Sequence, residues 1–173
     1  MSLRGIIQRL TEARAPLREV GEVPQSPQTL YVARPLLNAD EFMKWARGQG
    51  FSQVAEADSL HVTVLYSKTP VMWNVFKPDS MTLRVIGGAR SVVPLGDEGA
   101  VVLKFASDAL LRRHQEFRAG GGSHDYESYQ AHVTVTYQAG DLDLSGVETY
   151  QGPLIFGPEV FEPIDVDWKP GES

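Results

Sequence analysis

The chain contains no cysteine, which excludes disulfide bonds, thiolate nucleophiles and cysteine-ligated zinc at once. Basic residues are also scarce: 16 Lys and Arg stand against 22 Asp and Glu, and the formal net charge is −6. A protein that binds duplex nucleic acid usually has a basic excess, because its affinity comes from neutralising phosphates. We therefore expect no long nucleic acid as a partner, whereas a small anionic ligand needs only a local positive site.

Long hydrophobic runs are missing as well. None reaches the roughly 18 residues of a membrane-spanning helix, and no membrane partner is expected. The length of 173 residues fits a single domain. Apolar residues between Leu3 and Leu10 lie at helical spacing and predict a short amphipathic helix, after which several prolines indicate a linker. We predict this helix and linker at residues 1–28, one domain at 29–168 and a tail at 169–173.

Local signals within the predicted domain give more strands than helices. One helix is predicted to begin at Asn38, which forms a capping-box pattern with Glu41, and to end at Gly48. A second helix is predicted from Ser107, a suitable N-cap, to Arg118, before a run of glycines. The order strand–helix–strands occurs twice, which predicts an α+β domain of two similar lobes. Predicted strands cover residues 29–34, 59–66, 71–75, 81–86, 101–105, 129–137, 147–156 and 160–168.

An internal repeat is the most informative feature of the sequence. The hexapeptide HVTVLY that begins at His61 recurs as HVTVTY at His132, and only the fifth position differs. Side chains alternate between the two faces of a strand, so each histidine shares a face with the threonine two residues on, Thr63 or Thr134. The valines between them and Tyr66 are predicted to face the core.

Paired imidazoles and hydroxyls suit the cleavage of a phosphodiester. The nucleophile attacks phosphorus on one side while the leaving oxygen departs on the other, so two flanking histidines can act as general base and general acid. Histidine suits both roles because its ordinary pKa is about 6.5. The threonine hydroxyls can donate to phosphate oxygens, where charge builds in the transition state. The repeat therefore predicts a metal-independent phosphodiesterase site made of His61, Thr63, His132 and Thr134.

Other interpretations of the histidines carry less weight. A single His-x-Thr motif is common in ordinary sheets, but two near-identical copies favour a site. Imidazoles also bind zinc, yet the sequence has no His-Glu-x-x-His motif and no carboxylates at ligand spacing near either copy. The dipeptide His124-Asp125 is too short to indicate a metal centre. His114 lies in a charged helical segment and is predicted to face solvent.

The two motifs, one in each predicted lobe, resemble those of the two-histidine phosphoesterase superfamily. The resemblance covers roughly Thr29 to Trp168. It implies a bilobal LigT-like fold, in which two antiparallel sheets with flanking helices enclose a central groove that holds the active site. It also implies that the four repeat residues are catalytic and that no cofactor is needed.

Within that superfamily, the chain is most similar to the anti-CBASS branch of phages, whose members destroy cyclic oligonucleotide signals. The segment from Tyr31 to Pro35 resembles the opening strand of this branch, and the segment EPIDVDW from Glu162 to Trp168 resembles its closing segment. The resemblance implies substrate contacts by Tyr31, Glu162 and Trp168. Base stacking on an aromatic contributes about 1–3 kcal/mol, and a carboxylate can accept from a base amino group. Tyr126, just before the second motif, is a weaker candidate for contact.

The resemblance implies hydrolysis of cyclic di- and trinucleotides, such as cyclic GMP–AMP, in the cytoplasm of a bacterial host, where it would counter CBASS defence. One alternative is an RNA 2′,3′-cyclic phosphodiesterase of the LigT type, which would use the same four residues. Another is a protein that binds cyclic nucleotides without cleaving them. Base specificity, the identity of the nucleophile, the assignment of acid and base, and homo-oligomerisation stay open at this stage.

Overall fold

A computed structural model describes residues 26–164 of the chain. The predicted N-terminal helix, the predicted tail and Trp168 lie outside the described residues. Strands outnumber helices in the described range, as the sequence predicts. The strands are β1 (Gln28–Pro35), β2 (His61–Val71), β3 (Leu83–Val85), β4 (Arg90–Leu95), β5 (Ala100–Phe105), β6 (His132–Thr136), β7 (Leu154–Phe156) and β8 (Val160–Glu162), and the helices are α1 (Ala39–Gly48) and α2 (Asp108–Ala119).

The two copies of the repeat lie on the outer strands of two antiparallel sheets. One sheet has the strand order β2-β1-β8, a second has the order β4-β5-β6, and β3 pairs with β7. The first copy is on β2 and the second on β6, and these two outer strands contact each other. The topology therefore brings the two motifs together where the sheets meet.

Both helices cover the sheets with their apolar faces. In α1, Phe42 and Ala46 are fully buried. Helix α2 begins as predicted, since the side chain of Ser107 accepts a hydrogen bond from the backbone N–H of Leu110 at 3.2 Å. The predicted capping box at Asn38 is wrong, because its side chain makes no hydrogen bond to the helix backbone.

Instead, Asn38 connects α1 to strand β7. Its amide donates to the Pro153 carbonyl and to the Glu41 carboxylate, each at 2.7 Å. Its carbonyl accepts from the backbone N–H of Ile155 at 3.0 Å. The Asn38 side chain thus bonds residues in and next to β7 in place of the helix backbone, and the helix still begins at the predicted residue.

Several predicted strands differ from those observed. Strand β2 continues to Val71, and the predicted strand 71–75 is wrong because Trp73–Val75 forms a 3₁₀ turn. Strand β4 is missing from the prediction, since its side chains are partly or fully exposed and its sequence contains Pro94, a residue that is unfavourable in strands. The strands predicted at 147–156 and 160–168 shorten to β7 and β8.

A β-bulge occurs at the same position in both copies of the repeat. On β2, Val32 pairs with Leu65 and the next residue of β1 pairs with Thr63, so Val64 is the extra residue. On β6, the corresponding extra residue is Val135. A bulge reverses the alternation of side chains beyond it.

Because of the bulge, Tyr66 does not face the core, so its predicted orientation is wrong. Its ring does not join the main core but packs edge-on against Tyr31, with ring centroids 5.7 Å apart. Leu65 is buried in the core in its place. In the second copy, Thr136 is buried and Tyr137 joins the same tyrosine cluster as Tyr31.

Candidate active site

All four predicted catalytic residues line one cavity of about 710 Å³. Strand β2 contributes His61 and Thr63, and strand β6 contributes His132 and Thr134. Each histidine and threonine of a copy lie before the bulge, so the two side chains share the face that borders the cavity. The structure therefore brings the predicted groups together across the junction of the two sheets.

His61 is held by hydrogen bonds at both ring nitrogens. Its Nδ1 lies 2.8 Å from the carbonyl oxygen of Ser59, which can only accept, so Nδ1 carries the proton. Its Nε2 lies 2.8 Å from the hydroxyl of Tyr31. The pKa of His61 is lowered from 6.5 to about 4, mainly by burial; the hydrogen bond to the Ser59 carbonyl opposes this shift, and the nearby His132 adds a smaller lowering. At neutral pH, the imidazole is therefore neutral with a lone pair on Nε2.

Tyr31 joins the two catalytic groups of the first copy. Its hydroxyl lies 2.8 Å from Nε2 of His61 and 3.0 Å from Oγ1 of Thr63. Because the neutral Nε2 is an acceptor, Tyr31 donates its single proton to His61 and accepts from Thr63. Burial raises the pKa of Tyr31 well above its usual range, so the phenol stays protonated.

The structure leaves little room for the predicted stacking of a base on Tyr31. The side chain is only 7% exposed, and its ring packs against Tyr66 and His61. Little of the ring face is left for a nucleotide, whereas the hydroxyl reaches the catalytic pair. The opening strand therefore presents a hydrogen-bonding group at the site.

The second copy repeats the arrangement with different surroundings. Nδ1 of His132 lies 3.0 Å from the carbonyl oxygen of Gln130, the same two-residue spacing that joins His61 to Ser59. Burial raises the pKa of Tyr137, so this phenol is also protonated, and the Thr134 side chain opposes part of that rise. Both side chains line the cavity.

Tyr137 was not among the predicted site residues. It is the sixth residue of the second hexapeptide, and strict alternation assigns that position to the core. The bulge turns it to the cavity, where it lines the wall beside Thr134. The identical tyrosine at the sixth position of both copies is the sequence signal that marks it.

The other predicted contact residues lie around the same cavity. Glu162 ends β8, pairs with Tyr31 in the sheet, and is buried with only 6% exposure. Tyr126 lies at the cavity mouth and is 76% exposed. Trp168 is outside the described residues.

Charged residues of both signs line the cavity. Asp97 and Glu98 come from the turn between β4 and β5, and Lys104 comes from β5. At the mouth, Asp125 forms an ion pair with Lys68 at 3.1 Å. The cavity is therefore not a basic channel.

Among residues 26–164, no three His, Asp or Glu side chains are grouped closely enough to hold a metal ion. No helix in this part of the chain is long and apolar enough to cross a membrane.

His114 contradicts its predicted position on a solvated face. It is 4% exposed, and its Nδ1 lies 2.8 Å from the carbonyl oxygen of Val64, the bulge residue of β2. Its ring stacks on Tyr129, with centroids 4.5 Å apart and planes inclined by 20°. Burial lowers the pKa of His114. The charged neighbours in the sequence misled the prediction, since they occupy the outer face of α2 while His114 occupies the inner one.

Comparison with solved structures identifies the fold. A crystal structure of a phosphoesterase superposes with a TM-score of 0.52 at 14% identity, covering 78% of this chain and 87% of that one. E. coli LigT complexed with phosphate gives a TM-score of 0.48 at 14% identity, over 82% of this chain and 96% of LigT. The likeness to the phosphoesterase shows a shared fold, which confirms the predicted α+β fold class.

Sequence comparison narrows this assignment. Residues 28–171 match the family described as anti-CBASS protein Acb1. The chain belongs to that family, which confirms the predicted branch.

Relatives of the family occur in bacteria and phages. The anti-CBASS protein Acb1 of Sphingomonas paeninsulae is 55% identical over 161 residues, which is 89% of this chain but 26% of the relative. That of Enterobacteria phage T4 is 31% identical over 142 residues, 80% of this chain and 90% of the relative. The chain thus spans about a quarter of the Sphingomonas relative and most of the phage one.

Proposed function

We propose that this protein is a metal-independent phosphodiesterase that opens cyclic di- and trinucleotides, such as cyclic GMP–AMP, and so counters CBASS defence in the cytoplasm of bacteria. The observation that carries the proposal is the meeting of two His-x-Thr motifs in one cavity. Each histidine is oriented through Nδ1 by a backbone carbonyl, which leaves Nε2 for proton transfer.

His61 acts as the general base because it is neutral at working pH. Its Nε2 takes the proton of the nucleophile, either water or the adjacent ribose 2′-hydroxyl, which displaces the Tyr31 hydroxyl. The nucleophile forms a new bond to phosphorus while the bond to the 5′-oxygen breaks. His132, in its protonated form, gives its proton to that departing oxygen.

Thr63 and Thr134 bind the non-bridging phosphate oxygens and donate to them as charge builds. Once the nucleophile displaces Tyr31 from Nε2, the phenol can donate its proton to Oγ1 of Thr63, and the threonine hydroxyl proton then points at the phosphate. If the 2′-hydroxyl attacks, a 2′,3′-cyclic phosphate forms, and its hydrolysis reverses the two histidine roles.

The substrate class follows from the size and charge of the site and from the name of the family. A volume of about 710 Å³ falls within the range of small-molecule sites, roughly 300–1,000 Å³. Acidic residues in the wall and a net charge of −6 disfavour a long RNA, which weakens the alternative of a LigT-type RNA phosphodiesterase. Glu162 would accept from a base amino group, and Tyr126 and Trp168 would stack on bases.

A cleavage assay tests the proposal. The protein is incubated in excess EDTA with cyclic GMP–AMP, cyclic di-AMP, a cyclic triadenylate and a short RNA that ends in a 2′,3′-cyclic phosphate, and products are resolved by mass. We expect linear products from the cyclic oligonucleotides. Opening of the RNA end alone would support the LigT-type alternative, and binding without product would support a nucleotide-binding protein. Complete loss of activity in EDTA would contradict metal independence.

A further inference from the structure

Two consecutive carbonyl groups at the bulge of β2 accept hydrogen bonds from side chains outside the catalytic set. The carbonyl of Thr63 accepts from the hydroxyl of Tyr129 at 2.7 Å. The carbonyl of Val64 accepts from Nδ1 of His114 at 2.8 Å. These bonds fix the backbone at the point where the catalytic strand departs from regular pairing.

The two donors form one unit, which we call the His114–Tyr129 pair. Their rings stack with centroids 4.5 Å apart. His114 comes from α2 and is buried, while Tyr129 lies in the segment that leads into β6, three residues before His132. The next residue, Gln130, supplies the carbonyl that orients His132. The pair therefore connects the first catalytic strand to the approach of the second.

The second copy has no need of such a pair. Its bulge residue is Val135, whose carbonyl accepts from the backbone N–H of Ala55 at 2.8 Å. A main-chain donor is present whatever the side chain, except in proline. The Val64 carbonyl instead accepts from a side chain, so a substitution of His114 removes its hydrogen bond. The bond at Val135 is not lost when a side chain is replaced, except by proline.

We propose that the His114–Tyr129 pair is a positioning unit, which holds Thr63 and His61 in place opposite His132. The inference rests on the proposed cleavage reaction. His114 does not line the cavity, whereas Tyr129 does, so His114 reaches the site through the Val64 carbonyl, through Tyr129 and through His124, whose ring lies edge-on at 4.5 Å. Misplacement of a catalytic group by about 1 Å can cost roughly 100-fold in rate.

Steady-state kinetics of His114→Leu, His114→Asn and Tyr129→Phe test the proposal. His114→Leu removes the donor, and we expect kcat to fall about 10- to 100-fold with KM changed less than about threefold, because substrate binding groups are untouched. Asn carries an N–H near the position of Nδ1, so His114→Asn should recover kcat to within about fivefold of the wild type, the equivalent of one weakened hydrogen bond.

Ser107→Ala is the matched control. It removes the N-cap of the same helix, at a cost of about 1 kcal/mol in stability, without touching β2. Its kcat should equal that of the wild type. If His114→Leu fails to fold, Tyr129→Phe decides the question, since it deletes one oxygen and keeps the ring.

A wild-type kcat in folded His114→Leu or in Tyr129→Phe would overturn the proposal. So would an equal loss of kcat in Ser107→Ala, which would assign the effect to stability alone. An NMR measurement separates this inference from the proposed function: the imidazole nitrogen signals of His61 should shift in His114→Leu and Tyr129→Phe but not in Ser107→Ala. If the wild type cleaves no substrate, the proposed function fails, and unchanged His61 signals would then overturn the positioning role separately.

Discussion

The two copies of the repeat share five of six residues, yet the fold gives them different environments. His61 is 6% exposed and hydrogen-bonded at both nitrogens, whereas His132 is partly exposed and bonded through Nδ1 to Gln130. Burial keeps the first imidazole neutral. The residues around each motif, and not the motif itself, therefore decide how its histidine is held, and the proposed division into base and acid rests on this difference.

Removal of either histidine should have the largest effect. Each of His61→Ala and His132→Ala should lower kcat about 10²- to 10⁴-fold, the usual contribution of a general acid or base. Product mass spectrometry on cyclic GMP–AMP measures the loss. Wild-type turnover in either variant would remove that histidine from the mechanism.

The same two variants should differ in stability. His61→Ala leaves Tyr31 and the Ser59 carbonyl without their buried partner, so its free energy of unfolding should fall by roughly 1–3 kcal/mol. His132→Ala should change it less, because that side chain is partly exposed. Urea denaturation compares them, and equal losses would contradict the difference in packing.

Removal of the threonine hydroxyls should have the next largest effect on kcat. Thr63→Val and Thr134→Val keep the shape of the side chain, and each should lower kcat about 10²- to 10³-fold, as does the loss of one donor to a developing charge. The serine variants at the same positions keep the hydroxyl and are the controls. A valine variant as active as its serine counterpart would exclude the hydroxyl from catalysis.

Removal of the tyrosine hydroxyls should lower kcat less than removal of the threonine hydroxyls. Tyr31→Phe removes the hydrogen bond to Thr63, which persists when the nucleophile displaces Tyr31 from His61, so kcat should fall about fivefold at roughly 1 kcal/mol for one bond. Tyr137→Phe removes only the contact with Thr134 and should cost about fivefold at most. A larger effect at Tyr137 than at Tyr31 would reverse the comparison.

Acidification should have the smallest effect. The pKa of His61 in the folded protein is below 6.5, so the neutral base persists at lower pH and is lost only as pH falls through about 4. Between pH 7 and 5, kcat/KM should therefore not fall, because neutral His61 persists and acid favours the protonated form of His132, whereas an enzyme limited by a base with an ordinary pKa would lose roughly 30-fold. A pH–rate profile of the free enzyme distinguishes these outcomes.

The meeting of His61, Thr63, His132 and Thr134 in one cavity could be predicted because the hexapeptide occurs twice in the sequence. The N-cap at Ser107 was equally local, and its hydrogen bond to Leu110 confirms it. The bulges could not be predicted, since they arise from the match between each motif strand and its neighbour. That missed feature explains the wrong orientation of Tyr66 and the omission of Tyr137.

The hydrogen-bond partners of Asn38 and His114 could not be predicted from the sequence for a similar reason. Their neighbours along the chain indicate a cap and a solvated face, but their hydrogen-bond partners are Pro153 and Val64, distant residues that only the fold brings near. The orientation of a buried polar side chain depends on partners that are distant in the sequence, and a single sequence does not show which residues those are.

A substrate with sulfur at the scissile 5′-bridging position tests the central claim most directly. A thiolate leaves without the proton that an alkoxide needs, because thiols have a pKa of about 8.5. If His61 is the base and His132 the acid, His132→Ala should cleave the sulfur-bridged cyclic dinucleotide at close to the wild-type rate, while His61→Ala should stay inactive on it. Rescue of His61→Ala instead of His132→Ala would contradict the assignment of the buried histidine as the base.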